Sequence, residues 1–292
     1  MKIRYYKIFI VFIVLTFFTI PVLCYPKTSS ALDINIQLME STFKITGISK
    51  KEPTKAVIGT VFIIGLPLKN QLGQPGQPRQ AYNVLVTAAH VLDDISGDDA
   101  IIFLRTKESD GSFKKFAHQI KIRDKGKPYY VKHDNADVAA MYVKIPPEIK
   151  IPLISTDLLA DDNIFEKYEI HPGDELLCLG YPLIAEANTA GFPILRSGKI
   201  SSYPITPKKT VKTFLFDFNI FGGNSGGPVY MSYKERYYGN LYHLADNIQY
   251  IAGLVSEQVN ALHEFNDQPL ALAKVVPAQF IKETINLLPE NP

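Results

Sequence analysis

Cysteine is scarce in this chain: among 292 residues there are two, Cys24 and Cys178. Cys24 falls in a candidate leader, so a mature chain keeps Cys178 alone and can form no intramolecular disulfide. Its stability must come from a packed core. Net charge is also small, 31 Lys and Arg against 29 Asp and Glu, or +2. Lys2, Arg4 and Lys7 are the charges of the first 24 residues, and removing those three cations takes +2 to −1. A nearly neutral chain has no electrostatic claim on nucleic acid or anionic lipid. Metal-ligand spacing is missing too. His118, His133, His171, His243 and His263 form no paired pattern, and Asp93-Asp94-Ile95-Ser96-Gly97-Asp98-Asp99 does not follow a calcium-loop spacing, so no metal or cofactor is expected. Cys178 sits in Leu176-Leu177-Cys178-Leu179, an apolar strand pattern that predicts a buried, inert thiol. No internal repeat is visible.

What is present begins with the leader. Lys2, Arg4 and Lys7 precede an apolar run from Ile8 to Ile20, then Pro21 and small or polar residues, the layout of a secretory signal. The run is shorter than the ~20 residues of a spanning helix, although adding Pro21 to Cys24 brings it near that length. Cleavage after Cys24 and after Ala31 both fit, and a retained anchor is the second reading. Pro21-Val22-Leu23-Cys24 lacks the small residue that a lipoprotein signal wants before its cysteine. The expectation is a signal segment over 1–24 and an exported product, periplasmic or secreted, meeting a membrane only if the segment is retained.

Beyond it the chain reads as short strands with turn punctuation at 56–66, 81–88, 100–106, 116–123, 137–144, 175–181, 193–203, 211–218, 228–233, 248–256 and 270–276. Such regular spacing predicts an all-β sandwich or barrel. The Gln-, Gly- and Pro-rich stretch 69–80 predicts a surface loop between two strands of a hairpin. The proline-rich, sparsely apolar stretch 145–173 predicts a crossover, dividing the chain into domains 25–150 and 151–292. After Pro277, apolar residues at helical spacing predict an amphipathic helix over 278–288.

Three segments carry chemistry. Phe221-Gly222-Gly223-Asn224-Ser225-Gly226-Gly227-Pro228 surrounds one serine with glycines that permit a tight turn and let backbone N–H groups converge. Leu85-Val86-Thr87-Ala88-Ala89-His90 ends an apolar run on a histidine, and Asn135-Ala136-Asp137-Val138-Ala139-Ala140-Met141 opens another on an aspartate. Serine needs a base to become a nucleophile, and histidine titrates near working pH. The base in turn needs a carboxylate to hold its other nitrogen. Asp137 is the favoured orienter because the apolar run starts at Val138; Asp134 competes. His90 precedes Asp137 by 47 residues, and Asp137 precedes Ser225 by 88.

That order, with Leu179-Gly180-Tyr181-Pro182, Arg196-Ser197-Gly198-Lys199-Ile200-Ser201-Ser202 and Ile251-Ala252-Gly253-Leu254-Val255-Ser256, resembles the chymotrypsin-like serine peptidases. The likeness is to the bacterial trypsin-like branch that includes the high-temperature-requirement peptidase domains, and it runs from about Gly59 to the C-terminus. The resemblance implies two six-stranded Greek-key β-barrels and a C-terminal α-helix packed on the second, the first barrel carrying His90 and Asp137 and the second Ser225. It implies a serine endopeptidase with His90, Asp137 and Ser225 as catalytic triad and with the N–H groups of Gly223 and Ser225 as oxyanion hole. Asn219 would lie at the base of the specificity pocket, and Val255, Ser256, Glu257 and Gln258 would form the edge that pairs with substrate. Partners would be protein or peptide substrates; the peptide-binding module that often follows such domains is not expected after the helix. Neutral Asn219 favours a small or apolar residue before the cut. Asn224 stands where activation-dependent digestive enzymes carry an aspartate, so the oxyanion loop should form without N-terminal processing. A non-hydrolytic protein-binding module on the same scaffold is the alternative. Ester hydrolysis is disfavoured, for the chain shows no Gly-x-Ser-x-Gly elbow.

Overall fold

A computed structural model describes residues 33–68, 81–260 and 269–290. The candidate leader and the 69–80 insert lie outside the described residues. The described residues belong to one compact unit.

Helix α1 (Ile34–Ser41) starts on Asp33, whose side chain accepts from the Asn35 N–H, and runs into β1 (Thr42–Ile48). β2 (Ala56–Pro67) and β3 (Ala81–Thr87) pair antiparallel, Pro67 opposite Ala81, so the two strands flanking the insert do form a hairpin ladder. Helix α2 (Ala89–Asp94) follows at once. Then come β4 (Asp99–Lys107), β5 (Phe113–Lys121), the small pair β6 (Arg123–Asp124) and β7 (Lys127–Pro128), β8 (Val131–Lys132) and β9 (Ala139–Tyr142). Seven of these strands make one sheet in the order β5-β4-β1-β2-β3-β9-β8. Among the described residues no pairing joins its two outer strands, so it is an open ladder rather than a second closed barrel.

The chain then crosses over. The Gly65 N–H donates to the Ile154 carbonyl and the Ala160 N–H to the Ile251 carbonyl, which pins the connection to both sheets before helix α3 (Asp162–Lys167). β10 (Glu175–Gly180), β11 (Ile194–Ile200), β12 (Phe214–Asp217), β13 (Pro228–Tyr238), β14 (Leu241–Asn260) and β15 (Pro269–Pro277) close into a six-stranded barrel in the order β10-β11-β12-β15-β14-β13. β13 and β14 both run beyond the expected spans 228–233 and 248–256. Gly239 (φ 57°) and Asn240 (φ 62°) sit between paired Tyr238 and Leu241, two left-handed residues in a tight hairpin turn whose twist suits long strands.

Helix α4 (Ala278–Ile285) ends the described fold. It stops before the expected residue 288: after Ile285 the chain tightens into i→i+3 bonds, the Leu287 N–H donating to the Thr284 carbonyl and the Leu288 N–H to the Ile285 carbonyl. Pro277 caps the helix rather than opening its first turn. The helix also packs differently from expectation, meeting β8 and β9 of the open sheet as well as β14 and β15 of the barrel.

Two apolar clusters organise the unit. Phe165, Leu176, Cys178, Phe214, Phe216 and Val229 belong to the barrel cluster. The other runs from Ile45, Phe62 and Leu85 of the open sheet to Leu179, Tyr230 and Leu254 of the barrel strands and Phe280 and Ile281 of α4. The seam between sheet and barrel is therefore itself core. Among the described residues no helix is long and apolar enough to cross a membrane.

Candidate functional site at the seam

Strand β3 is buried from Val84 to Thr87, and the chain turns from it directly into α2, where His90 is the second residue. Asp137 lies just before β9, in a turn where the Val138 N–H donates to the Ala136 carbonyl and the His133 N–H to the Val138 carbonyl. The carboxylate grips His90 twice: Oδ2 is 2.7 Å from Nδ1, and Oδ1 accepts the His90 backbone N–H at 3.0 Å. Asp134 is exposed. Burial disfavours protonated His90, but the hydrogen bond and charge of Asp137 outweigh it and raise the imidazole pKa above its ordinary 6.5. Burial likewise pushes the Asp137 pKa up, and His90, joined by Ser256, pulls it below 3.8.

Ser225 comes from the loop before β13, and two open-sheet strands hold that loop. The Thr60 N–H donates to the Ser225 carbonyl at 2.8 Å, Thr60 Oγ1 donates to the Gly223 carbonyl at 2.6 Å, and Thr87 Oγ1 donates to the Thr60 carbonyl at 2.7 Å. Thr60 and Thr87 are wholly buried. Glycine is required here by sterics: Gly226 (φ 85°) leaves no room for a Cβ beside Thr87 Oγ1 and the Thr60 carbonyl, nor Gly223 (φ 99°) beside the Tyr181 carbonyl.

Ser256 connects the two halves. Its hydroxyl donates to Asp137 Oδ2 at 2.6 Å, and its carbonyl accepts the Ser225 hydroxyl at 3.0 Å. No hydrogen bond joins Ser225 to His90 among the described residues. Nor do the backbone N–H groups of Gly223 and Ser225 find partners there, whereas the Asn224 N–H donates to the Phe221 carbonyl. The Asn224 side chain is buried, and its Nδ2 has no hydrogen-bond partner.

The remaining expected residues divide. Val255 is buried, with its N–H bonded to the Gly227 carbonyl and its own carbonyl accepting from Gly226. The β14–β15 register slips between Val255 and Gln258, so Ser256 and Glu257 stand out of the ladder. Glu257 pairs with Lys274 at 2.6 Å. Asn219 is exposed; its carbonyl accepts from Arg196 Nη1 at 2.5 Å, and that guanidinium stacks 4.1 Å over Phe218.

Sequence reading missed Thr60 and the double bonding of Ser256. A hydroxyl in the otherwise apolar run Ala56–Leu66 was the available signal for Thr60. It also missed the turn after β10. Leu183 (φ 49°) and Ile184 (φ 68°) are both left-handed, at a cost of about 1–2 kcal/mol each, and the Leu183 N–H donates to the Gly222 carbonyl at 2.8 Å.

Elsewhere the chemistry is occupied. Asp93 accepts from Tyr130 and Lys132, and Asp98 from the N–H groups of Lys125 and Gly126. Burial pushes the Cys178 thiol up to about 12. Among the described residues no group of three or more His, Cys, Asp or Glu is arranged to hold a metal.

Compared with known proteins, the chain matches no family model and no curated protein.

Proposed function

We propose that the protein is an exported serine endopeptidase of the chymotrypsin-like class. In this reading the open sheet is the counterpart of that class's first barrel and β10–β15 are the second. The observation that carries the reading is the convergence on Asp137 of two bonds from His90 and one from Ser256, which also accepts from Ser225. A carboxylate so held fixes the Nδ1 tautomer and leaves Nε2 as the base.

Turnover then needs one side-chain rotation. The Ser225 hydroxyl leaves the Ser256 carbonyl, gives its proton to His90 Nε2 and attacks the substrate carbonyl carbon. The resulting oxyanion is received by the Gly223 and Ser225 N–H groups. Imidazolium, stabilised by Asp137, returns the proton to the leaving amine, and water cleaves the acyl-enzyme by the same route. The vacated Ser256 carbonyl can accept a substrate backbone N–H. Arg196, which donates to the Asn219 carbonyl, adds positive charge beside the expected specificity residue, which argues against a basic side chain before the cut and keeps small or apolar residues favoured. Export rests on the sequence of residues 1–24.

The Ser225–Ser256 bond also favours a second reading, a protein-binding module without turnover, because it holds the hydroxyl off the imidazole. Hydrolysis of casein and a chromogenic peptide panel separates the two. The peptidase reading expects cleavage by the wild type that Ser225→Ala lowers by roughly 10⁴–10⁶; wild-type activity no greater than that of the variant supports the module.

A further inference from the structure

We propose that Arg105 is a positioning residue for the Gly223 N–H, acting through the turn Tyr181–Ile184; the inference rests on the peptidase reading. Arg105 lies on β4, is 5% exposed, and has its guanidinium between the rings of Phe43 and Phe192, 4.4 Å from each centroid. Among the described residues it makes no ion pair with a carboxylate. Its two Nη groups are spent on neutral acceptors, while Nε is buried without a hydrogen-bond partner. Nη2 donates to the carbonyls of Met39, Glu40 and Thr42, closing the end of α1, and Nη1 donates to the Gly191 carbonyl at 2.8 Å and the Tyr181 hydroxyl at 3.2 Å. With Nε already unpaired, losing any acceptor of the Nη groups would leave a buried cation still less satisfied, so these acceptors are held together as a set.

Closing a helix end accounts for Nη2 but not for Nη1. The Tyr181 hydroxyl lies 3.0 Å from the Gly191 carbonyl, so Arg105 and Tyr181 clamp both ends of the segment 181–191. Inside it the Ile184 N–H donates to the Tyr181 carbonyl at 3.1 Å, that carbonyl lies against Gly223, and the Leu183 N–H reaches the Gly222 carbonyl. In a planar trans peptide the C=O and the following N–H point opposite ways. Pinning the Gly222 carbonyl toward Leu183 therefore turns the Gly223 N–H away from Leu183, outward from the turn. Two consecutive left-handed residues, one β-branched, persist only where surroundings over-determine them. The clamp supplies that determination, and it does so without a charged partner for Asn224.

The test uses the full chain with Arg105→Lys, which keeps the charge and loses the fork, and Tyr181→Phe, which keeps the buried ring. Amide hydrogen exchange at Leu183 is read beside kcat, KM and the pH profile. Both variants should speed exchange at Leu183 at least tenfold while the β10 amides keep their protection. They should also lower kcat ten- to hundredfold, with KM within twofold and an unmoved acid limb, since the His90–Asp137 pair is untouched. Wild-type kcat in folded Tyr181→Phe overturns the inference, and so does a loss carried by KM. If Arg105→Lys does not fold, Tyr181→Phe decides. If the wild type turns over no substrate, the peptidase reading fails, and exchange at Leu183 alone decides whether the clamp orients this peptide.

Discussion

Ser256 donates its hydroxyl to the same Asp137 oxygen that lies 2.7 Å from His90 Nδ1. That bond makes the orientation of the carboxylate depend on a strand of the barrel, although Asp137 itself leads into the open sheet. Ser256→Ala should leave the fold intact and remove about 1–2 kcal/mol of stability. Turnover should fall roughly tenfold, the His90 contacts of Asp137 remaining. Steady-state kinetics with urea unfolding checks this; unchanged values for both would mean that His90 alone positions the carboxylate.

Asp137 and Asp134 are separated by a second pair of variants. Because Asp137 bonds both the ring and the backbone of His90 while Asp134 is exposed, Asp137→Asn should cut kcat by roughly 10⁴ through the wrong tautomer. Asp134→Asn should change it less than twofold. The reverse ranking would reassign the orienter.

The pH behaviour follows from the two shifts. Folded His90 titrates above its ordinary 6.5, so its stabilising pairing with Asp137 is fully present below the unfolded value and fades as pH rises through the folded one. Asp137 titrates below 3.8, so its contribution is present above the unfolded value and is lost as pH falls through the lower folded one. The pair should therefore stabilise most between those limits. Catalysis needs neutral His90, which places the acid limb of kcat/KM above pH 6.5. An NMR titration of the His90 ring should give the same midpoint and move downward in Asp137→Asn; a wild-type midpoint under 6.5 would remove the carboxylate's influence.

Gly226→Ala tests the loop through sterics alone. With φ at 85° and no room for a Cβ, the variant should be destabilised by about 2 kcal/mol or more and lose the reactivity of Ser225 toward a fluorophosphonate. Thermal melts and labelling rates read the two effects separately. A variant with the wild-type melting temperature would show that the loop relaxes without cost.

Much of this was legible because it is local. The eleven expected strands carry apolar runs or alternation bounded by turn residues, and the segments around His90, Asp137 and Ser225 have distinctive flanks. What escaped depends on tertiary partners. Strand β1 begins without a turn signal, straight out of α1, so neither element announces its boundary. Arg105 follows Ile101-Ile102-Phe103-Leu104 and reads as the polar end of a strand; only folding brings the carbonyls of Met39, Thr42 and Gly191 around it. Ser256 was assigned to a substrate-facing edge, and its hydroxyl bond to Asp137 spans 119 residues, a distance at which local pattern says nothing.

If Ser225 is an activated nucleophile, covalent labelling with a fluorophosphonate measures that without knowledge of the substrate. One adduct per wild-type chain is expected, mapped to Ser225 by peptide mass spectrometry, with none in Ser225→Ala and labelling slowed by roughly 10³ or more in His90→Ala. Wild-type protein that takes up no label, or labels equally fast without His90, would contradict it.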